Sequence, residues 1–223
     1  MIGDVHGRLD LLERLLAELP EGIPLVVLGD LCDRGGPDTA GVIGLLIARG
    51  AVGVRGNHEE WLRAWLGGEP FDPSICSIMG GLPTLRSYGI HSHDPAEIDR
   101  ARGRVPEAHQ RWLLSLPVAL DLEVAGERYW VVHAGVSCTP YLGSMPREQV
   151  VPYLAERYPE ELLWPKQDPA RMAPLDRTVI MGHVPQPEVR DLGHVIAVDT
   201  GSGRPDGRLS AVILPERAAV TVG

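Results

Sequence analysis

Five short runs of apolar, often β-branched residues recur along this chain, and each ends in a polar side chain of the kind that binds metals or phosphate. Residues 24–28 run into Gly29-Asp30, and residues 51–54 into Arg55-Gly56-Asn57-His58. Residues 129–132 run into His133, residues 178–181 into Gly182-His183, and residues 195–198 into Asp199-Thr200-Gly201. Runs this short and this rich in Val and Ile read as buried strands. Open α/β sheets build their sites at the C-terminal ends of strands. The pattern therefore predicts a sheet core with one site assembled from several strand tips.

Helical spacing fills the gaps. Leu9, Leu12, Leu15, Leu16 and Leu19 form one stripe, which Pro20 stops. Val42, Ile43, Leu46 and Ile47 form a second, with Gly50 placed to end it. Residues 59–66 form a third, closed by Gly67-Gly68. Alternating strands and helices indicate an α/β class. Residues 67–116 lose the strand rhythm and carry Gly, Pro and Ser, so they are expected as helices and loops over the site. Residues 209–214 and 218–222 are expected to form a hairpin around Pro215-Glu216. Only Met1 and Ile2 precede Gly3-Asp4, so the first strand is either a stub or continues in residues upstream.

The chain's 223 residues suit one domain, 1–223. Lys plus Arg number 21 against 30 for Asp plus Glu, a net charge of −9. That balance argues against a sequence-blind nucleic-acid binder. It leaves room for cations, since two divalent ions would cancel 4 of the 9 negative charges. The three cysteines, Cys32, Cys76 and Cys138, share no close spacing, which argues against a disulfide framework. No apolar run approaches the ~20 residues of a membrane helix, and no leader pattern precedes Gly3. A cytoplasmic protein without a membrane partner is the expectation.

Asp4, His6, Asp30, Asn57, His133 and His183 bring carboxylate, imidazole and amide oxygen to strand ends, a donor set suited to Mn, Fe, Zn or Mg. Each fragment alone is ordinary turn chemistry. Their shared position at successive strand tips is what points to a site. His91-Ser92-His93 also alternates donors, but in a polar Asp- and Pro-rich stretch that reads as a solvated loop.

Gly3-Asp4-Val5-His6-Gly7, Gly29-Asp30-Leu31-Cys32-Asp33-Arg34-Gly35 and Arg55-Gly56-Asn57-His58-Glu59 together resemble the three signatures of the phosphoprotein phosphatases, within the calcineurin-like metallophosphoesterases. His133-Ala134-Gly135, Gly182-His183 and Asp199-Thr200-Gly201 continue the match. Residues 80–89 and Leu162-Leu163-Trp164 are similar to segments of its bacterial and phage serine/threonine phosphatase branch.

The resemblance implies a sandwich of two mixed sheets with helices outside and a dinuclear centre. Asp4, His6 and Asp30 would hold one divalent ion, Mn foremost, and Asp30 would bridge to a second held by Asn57, His133 and His183. A hydroxide bridging the two ions would attack phosphorus in line. Arg34 would clamp the phosphate, with Asn57 also contacting it. His58 would protonate the leaving oxygen, with Asp33 orienting the ring and favouring its protonated form. The family often adds a second phosphate-binding arginine near Leu-Leu-Trp. Here Lys166 stands in that region, and Arg177 is another candidate.

The implied activity is hydrolysis of phosphomonoesters, with phosphoserine and phosphothreonine in proteins, or small phosphoesters, as substrates. Three alternatives stay open: a dinucleoside polyphosphate hydrolase, a phosphodiesterase of the same superfamily, and a catalytically weak module that binds phosphorylated partners.

Overall fold

Side chains alternate across a strand, and in this protein the alternation sorts the apolar residues into three layers of core. Val26, Leu28, Val54, Tyr129, Val131, Ile180, Ile196, Val198 and Val212 form the middle layer. Their neighbours Val27, Leu209 and Ala211 face one way, onto helices. Trp130, Val132, Val179, Met181, Val195 and Ala197 face the other way, onto a second set of helices. The result is two sheets packed face to face between helical layers, the two-sheet sandwich expected above. The computed structural model describes residues 1–137, 143 and 145–223; Cys138 lies outside them.

The first sheet joins β1 (Val26–Val27) and β2 (Val52–Gly53) in parallel. Ile2 bridges Val27 on one side and Ala211 of β8 (Leu209–Ile213) on the other. This bridge ties the N-terminal motif to the late hairpin of β8 and β9 (Ala218–Val222). The second sheet has the order β3-β4-β5-β7-β6. Its centre is parallel: β4 (Glu127–Val132), β5 (Thr178–Met181) and β7 (Val195–Ala197). The edges β3 (Ala119–Val124) and β6 (Arg190–Asp191) are antiparallel and were not foreseen. β3 alternates half-buried with exposed residues, and β6 has only two residues, so neither shows the continuous apolar run of a buried strand.

Helix α1 (Leu9–Glu18) buries Leu11, Leu12, Leu15 and Leu16. Helix α2 (Thr39–Ala48) is capped by the Asp38 side chain, which accepts from Gly41 N–H. Helix α3 (Asn57–Leu66) starts at the tip of β2, so Asn57 and His58 occupy its first turn. Residues 67–116 contain the short helices α4 (Ile75–Ile78), α5 (Leu82–Ser87), α6 (Pro95–Arg100) and α7 (Glu107–Ser115). Helices α8 (Arg147–Arg157) and α9 (Glu160–Leu163) cover the second sheet. No helix of the described residues is long and apolar enough to cross a membrane.

Candidate metal and phosphate site

The strand tips bend sharply where the site forms. Seven non-glycine residues among those described have positive φ, and five of them are His6, Asp30, Asp33, Arg34 and His183. Such conformations cost ~1–3 kcal/mol each and persist only where surrounding structure fixes them. Glycine makes room for the carboxylates. A Cβ on Gly56 would lie 2.1 Å from Asp30 Oδ1, and one on Gly182 would lie 2.1 Å from Asp4 Oδ1.

Two buried groups of donors converge on Asp30. His6, Asp30 and His58 form one, and Asp30, His133 and His183 the other, with ligand-type atoms within 4.8 Å of one another in each. His133 Nδ1 lies 2.8 Å from the Leu28 carbonyl and donates to it. Its Nε2 is 3.0 Å from Asn57 Oδ1, 3.1 Å from His183 Nδ1 and 3.3 Å from Asp30 Oδ1. His6 likewise donates from Nδ1 to the Cys32 carbonyl at 2.8 Å, which leaves Nε2 as a lone pair 3.7 Å from Asp30 Oδ2. Ring nitrogens of three imidazoles, an amide oxygen and a carboxylate therefore converge on one small volume. That arrangement fits divalent cations, which replace the missing donors.

The proton affinities follow the same logic. Burial opposes charge on His133, but the Asp30 carboxylate outweighs it and pushes the ring up to about 10. A proton on His133 thus does part of a cation's work. Burial drives His6 down to about 3, and burial with the neighbouring His133 drives His183 down to about 4. Burial acts to raise Asp30, yet His133, His58 and His6 hold it well below the usual carboxylate range. Asp4 is raised by burial and by Asp199, and it accepts the His183 N–H at 3.1 Å.

Beside this cluster runs a chain of polar contacts. Asp33 is fully buried, and its carboxylate accepts from Thr84 Oγ1 at 2.7 Å, Trp61 Nε1 at 2.8 Å and His58 Nδ1 at 2.9 Å. His58 Nε2 in turn accepts from Arg34 Nε at 3.1 Å. The segment of residues 80–84 holds this chain, because the Gly80 carbonyl also accepts Arg34 N–H at 3.1 Å. Beneath it, Glu59 accepts from Asp30 N–H and Leu31 N–H at 2.8 Å each and from Gly56 N–H at 2.7 Å. One buried carboxylate therefore ties the β1 and β2 tips together.

Asp4, His6, Asp30, Asn57, His133 and His183 are all brought together, with Asp33, His58 and Arg34 beside them. Lys166 is exposed, with its charge close enough to act on His183. Arg177 is a correction. It precedes β5, at the opposite end from His183, so the strand and turn put it roughly 20 Å away. There it pairs with Asp121 and Asp176 and stacks 4.2 Å over the Trp130 ring. Asp199, placed at a strand tip by the sequence but given no role there, and Arg204, which the sequence did not single out, line the cavity with Asp4, His6, Asp30, Arg34 and His183. Trp61, on α3, supports Asp33 through its indole N–H. The Asp199 motif was visible; Arg204, in an exposed loop, gave no periodic or spacing signal.

This fold and donor set define a metal-dependent phosphoester hydrolase class, and comparison with known proteins agrees. The chain belongs to the calcineurin-like phosphoesterase family, which matches residues 1–206 and uses a dinuclear metal site. It is similar to serine/threonine-protein phosphatase 1 of Salmonella typhimurium, 43% identical over 63 residues, which is 27% of this chain and 29% of that protein. It is similar along 100% of its length, at 27% identity, to bis(5'-nucleosyl)-tetraphosphatase PrpE (asymmetrical) of Anoxybacillus flavithermus, covering 92% of that protein. Among solved structures, a "putative diadenosine tetraphosphatase" shares the fold with a TM-score of 0.61 at 22% identity, over 99% of this chain and 90% of the other.

Proposed function

We propose that this chain hydrolyses phosphomonoesters at the described cluster, acting on phosphoserine and phosphothreonine in proteins. The observation that carries the reading is the continuous path Asp33–His58–Arg34 beside a buried cluster of ligand-type atoms. Asp4, His6 and Asp30 would hold one divalent ion, Mn foremost; Asp30, Asn57, His133 and His183 would hold the other. When bound, such ions supply the positive charge that activates water and stabilises phosphoryl oxygens.

The rest of the chemistry belongs to the chain. Asp33 accepts the Nδ1–H of His58, so Nε2, which turns toward Arg34 and Asp30, is the nitrogen that would carry a proton once the Arg34 guanidinium moves from it to the phosphate. From Nε2 that proton passes to the leaving oxygen as the ester bond breaks. Arg34 offers a planar, permanently charged fork that suits phosphoryl oxygens, with the Asn57 amide beside it. Thr84 and Trp61 hold Asp33 from behind, so the ring keeps its orientation. The unpaired thiols of Cys32 and Cys76 support a reducing, cytoplasmic setting.

A second reading, asymmetrical cleavage of dinucleoside tetraphosphates, is favoured by the full-length similarity to the tetraphosphatase. One preparation decides between them. Phenyl phosphate, a phosphoserine peptide, diadenosine tetraphosphate and a bis-aryl diester are assayed in chelator and then with Mn. Hydrolysis of the peptide and phenyl phosphate, restored by Mn, supports the first reading. Preference for the tetraphosphate supports the second. Turnover confined to the diester, or binding of the phosphopeptide without turnover, would replace both.

A further inference from the structure

Four arginines line the catalytic cavity and the two larger cavities that flank it, each of the latter about 570 Å³. Three of them are engaged. Arg8 forms a two-pronged pair with Asp10, at 2.8 and 2.7 Å. Arg34 donates to His58, and Arg208 donates to the Pro187 carbonyl. The fourth, Arg204, is exposed, and its guanidinium has no hydrogen-bond or ion-pair partner among the described residues. It is also the residue that all three cavities share.

Its position is set by the backbone. Arg204 N–H donates to the Gly201 carbonyl at 2.9 Å, and Gly207 N–H donates to the Arg204 carbonyl at 3.0 Å, so the loop is a closed turn. Gly201 and Gly203 keep the approach to the cluster open. A Cβ on Gly203 would lie 2.6 Å from His6 Cδ2 and 3.1 Å from Arg34 Cδ; one on Gly201 would lie 3.5 Å from Arg204 Cδ. Arg34 therefore stands on the His6 side of the cavity, and Arg204 on the side of Asp199, where its charge acts. Beyond Arg204 the cavity continues past Pro185, Gln186, Thr200 and Arg208.

A lone phosphoryl group held by Arg34 leaves this second fork unsatisfied. Because Arg34 and Arg204 line the same cavity, a second anion joined to the reacting phosphate is the group this fork suits, and a guanidinium binds such oxygens in pairs. We propose that Arg204 is a specificity-determining residue that binds a phosphate joined by an anhydride bond to the phosphoryl group that reacts. The proposal rests on the site reading above, and it deepens the tetraphosphate reading by naming the residue that would select for it.

The test compares Arg204→Gln and Arg204→Lys with the parent at fixed free Mn, using phenyl phosphate and diadenosine tetraphosphate. A charge-assisted hydrogen bond is worth about tenfold or more, so Arg204→Gln should raise KM for the tetraphosphate about tenfold further than for phenyl phosphate. Arg204→Lys should recover part of that difference. Equal losses on both substrates would show that Arg204 touches only the reacting phosphate, and no loss on either would show that it touches neither; both overturn the proposal. Calorimetric binding of a β,γ-imido nucleoside triphosphate against phenylphosphonate gives a readout without turnover. If the parent hydrolyses nothing, the site reading fails while this comparison still judges Arg204: selective weakening of the imidotriphosphate supports it, and unselective or absent weakening sinks it.

Discussion

The Glu59 carboxylate accepts the backbone N–H of Asp30 at 2.8 Å, although both side chains are buried acids in one another's field. The contact explains how a carboxylate from a helix can serve a strand tip. Glu59 also receives Leu31 N–H, Gly56 N–H and, at 3.3 Å, the Cys32 thiol. Replacing it by Ala would leave three buried N–H groups without acceptors, each costing ~1–3 kcal/mol. Glu59→Ala should therefore lower the thermal midpoint and weaken Mn binding together. Thermal unfolding with and without Mn, followed by metal titration, checks both; unchanged metal affinity in a destabilised variant would limit Glu59 to stability.

His58→Ala should slow hydrolysis by ~10²–10⁴ where the leaving group is a poor one, as expected for a lost general acid. The loss should be smaller on p-nitrophenyl phosphate, whose leaving oxygen needs no proton. Rate ratios for alkyl and aryl esters measure this. Equal losses would mean that the ring serves Asp30 and Arg34 rather than the leaving group.

Thr84→Val removes the hydroxyl that both donates to Asp33 Oδ1 at 2.7 Å and accepts Asp33 N–H at 2.8 Å. Thr84 lies outside the cavity, so it acts through Asp33 and His58. The variant should lower kcat on alkyl phosphates with little change in KM, and less on aryl phosphates with good leaving groups. A uniform loss of folded protein with normal kcat per folded molecule would make the contact purely structural.

Arg34→Ala should weaken both turnover and inhibition by orthophosphate, since the same fork would hold substrate and product. Among the described residues its guanidinium is held only by His58 Nε2, at 3.1 Å, so the fold should survive its loss. Inhibition constants in parent and variant are the measurement. Unaltered inhibition would place the phosphate elsewhere in the cavity.

In chelator, His6 should make the protein sensitive to acid. Burial holds its folded-state value near about 3, below the ~6.5 of an unfolded histidine. The unfolded chain then binds the proton first as the pH falls. Stability from this residue is complete above pH ~6.5 and is lost progressively toward about 3. His6→Gln should flatten that part of the stability curve, read as denaturant midpoints against pH for the two metal-free proteins. Parallel curves would refute the assignment.

Much of the centre was legible because its residues sit at the ends of strands, where composition changes abruptly from β-branched to polar. Asp30, Asn57, His133 and His183 all carry that mark. The 178–181 run coincides with β5, and the α1 stripe differs from the observed helix only at its end. The brief β1 and β2 show why boundaries were less legible, since only two residues of each run complete the ladder. What stayed hidden depends on contacts far apart in the chain. Thr84 and Asp33 are 51 residues apart, and no local period links them. Arg204 reaches the cavity because Gly201 and Gly203 turn the loop inward. Arg177 was misplaced because a residue before a strand and one after it look equally near in a string of letters, while the strand carries them to opposite ends.

The Ile2 bridge has a consequence for how the protein is made. Ile2 N–H donates to the Val26 carbonyl at 2.8 Å, and Gly3 N–H to the Ser210 carbonyl at 3.0 Å. Asp4 follows directly, so its perch is secured from a segment translated some two hundred residues later. A nascent chain therefore carries Asp30 and Asn57 well before the strand that anchors the Asp4 segment has been made.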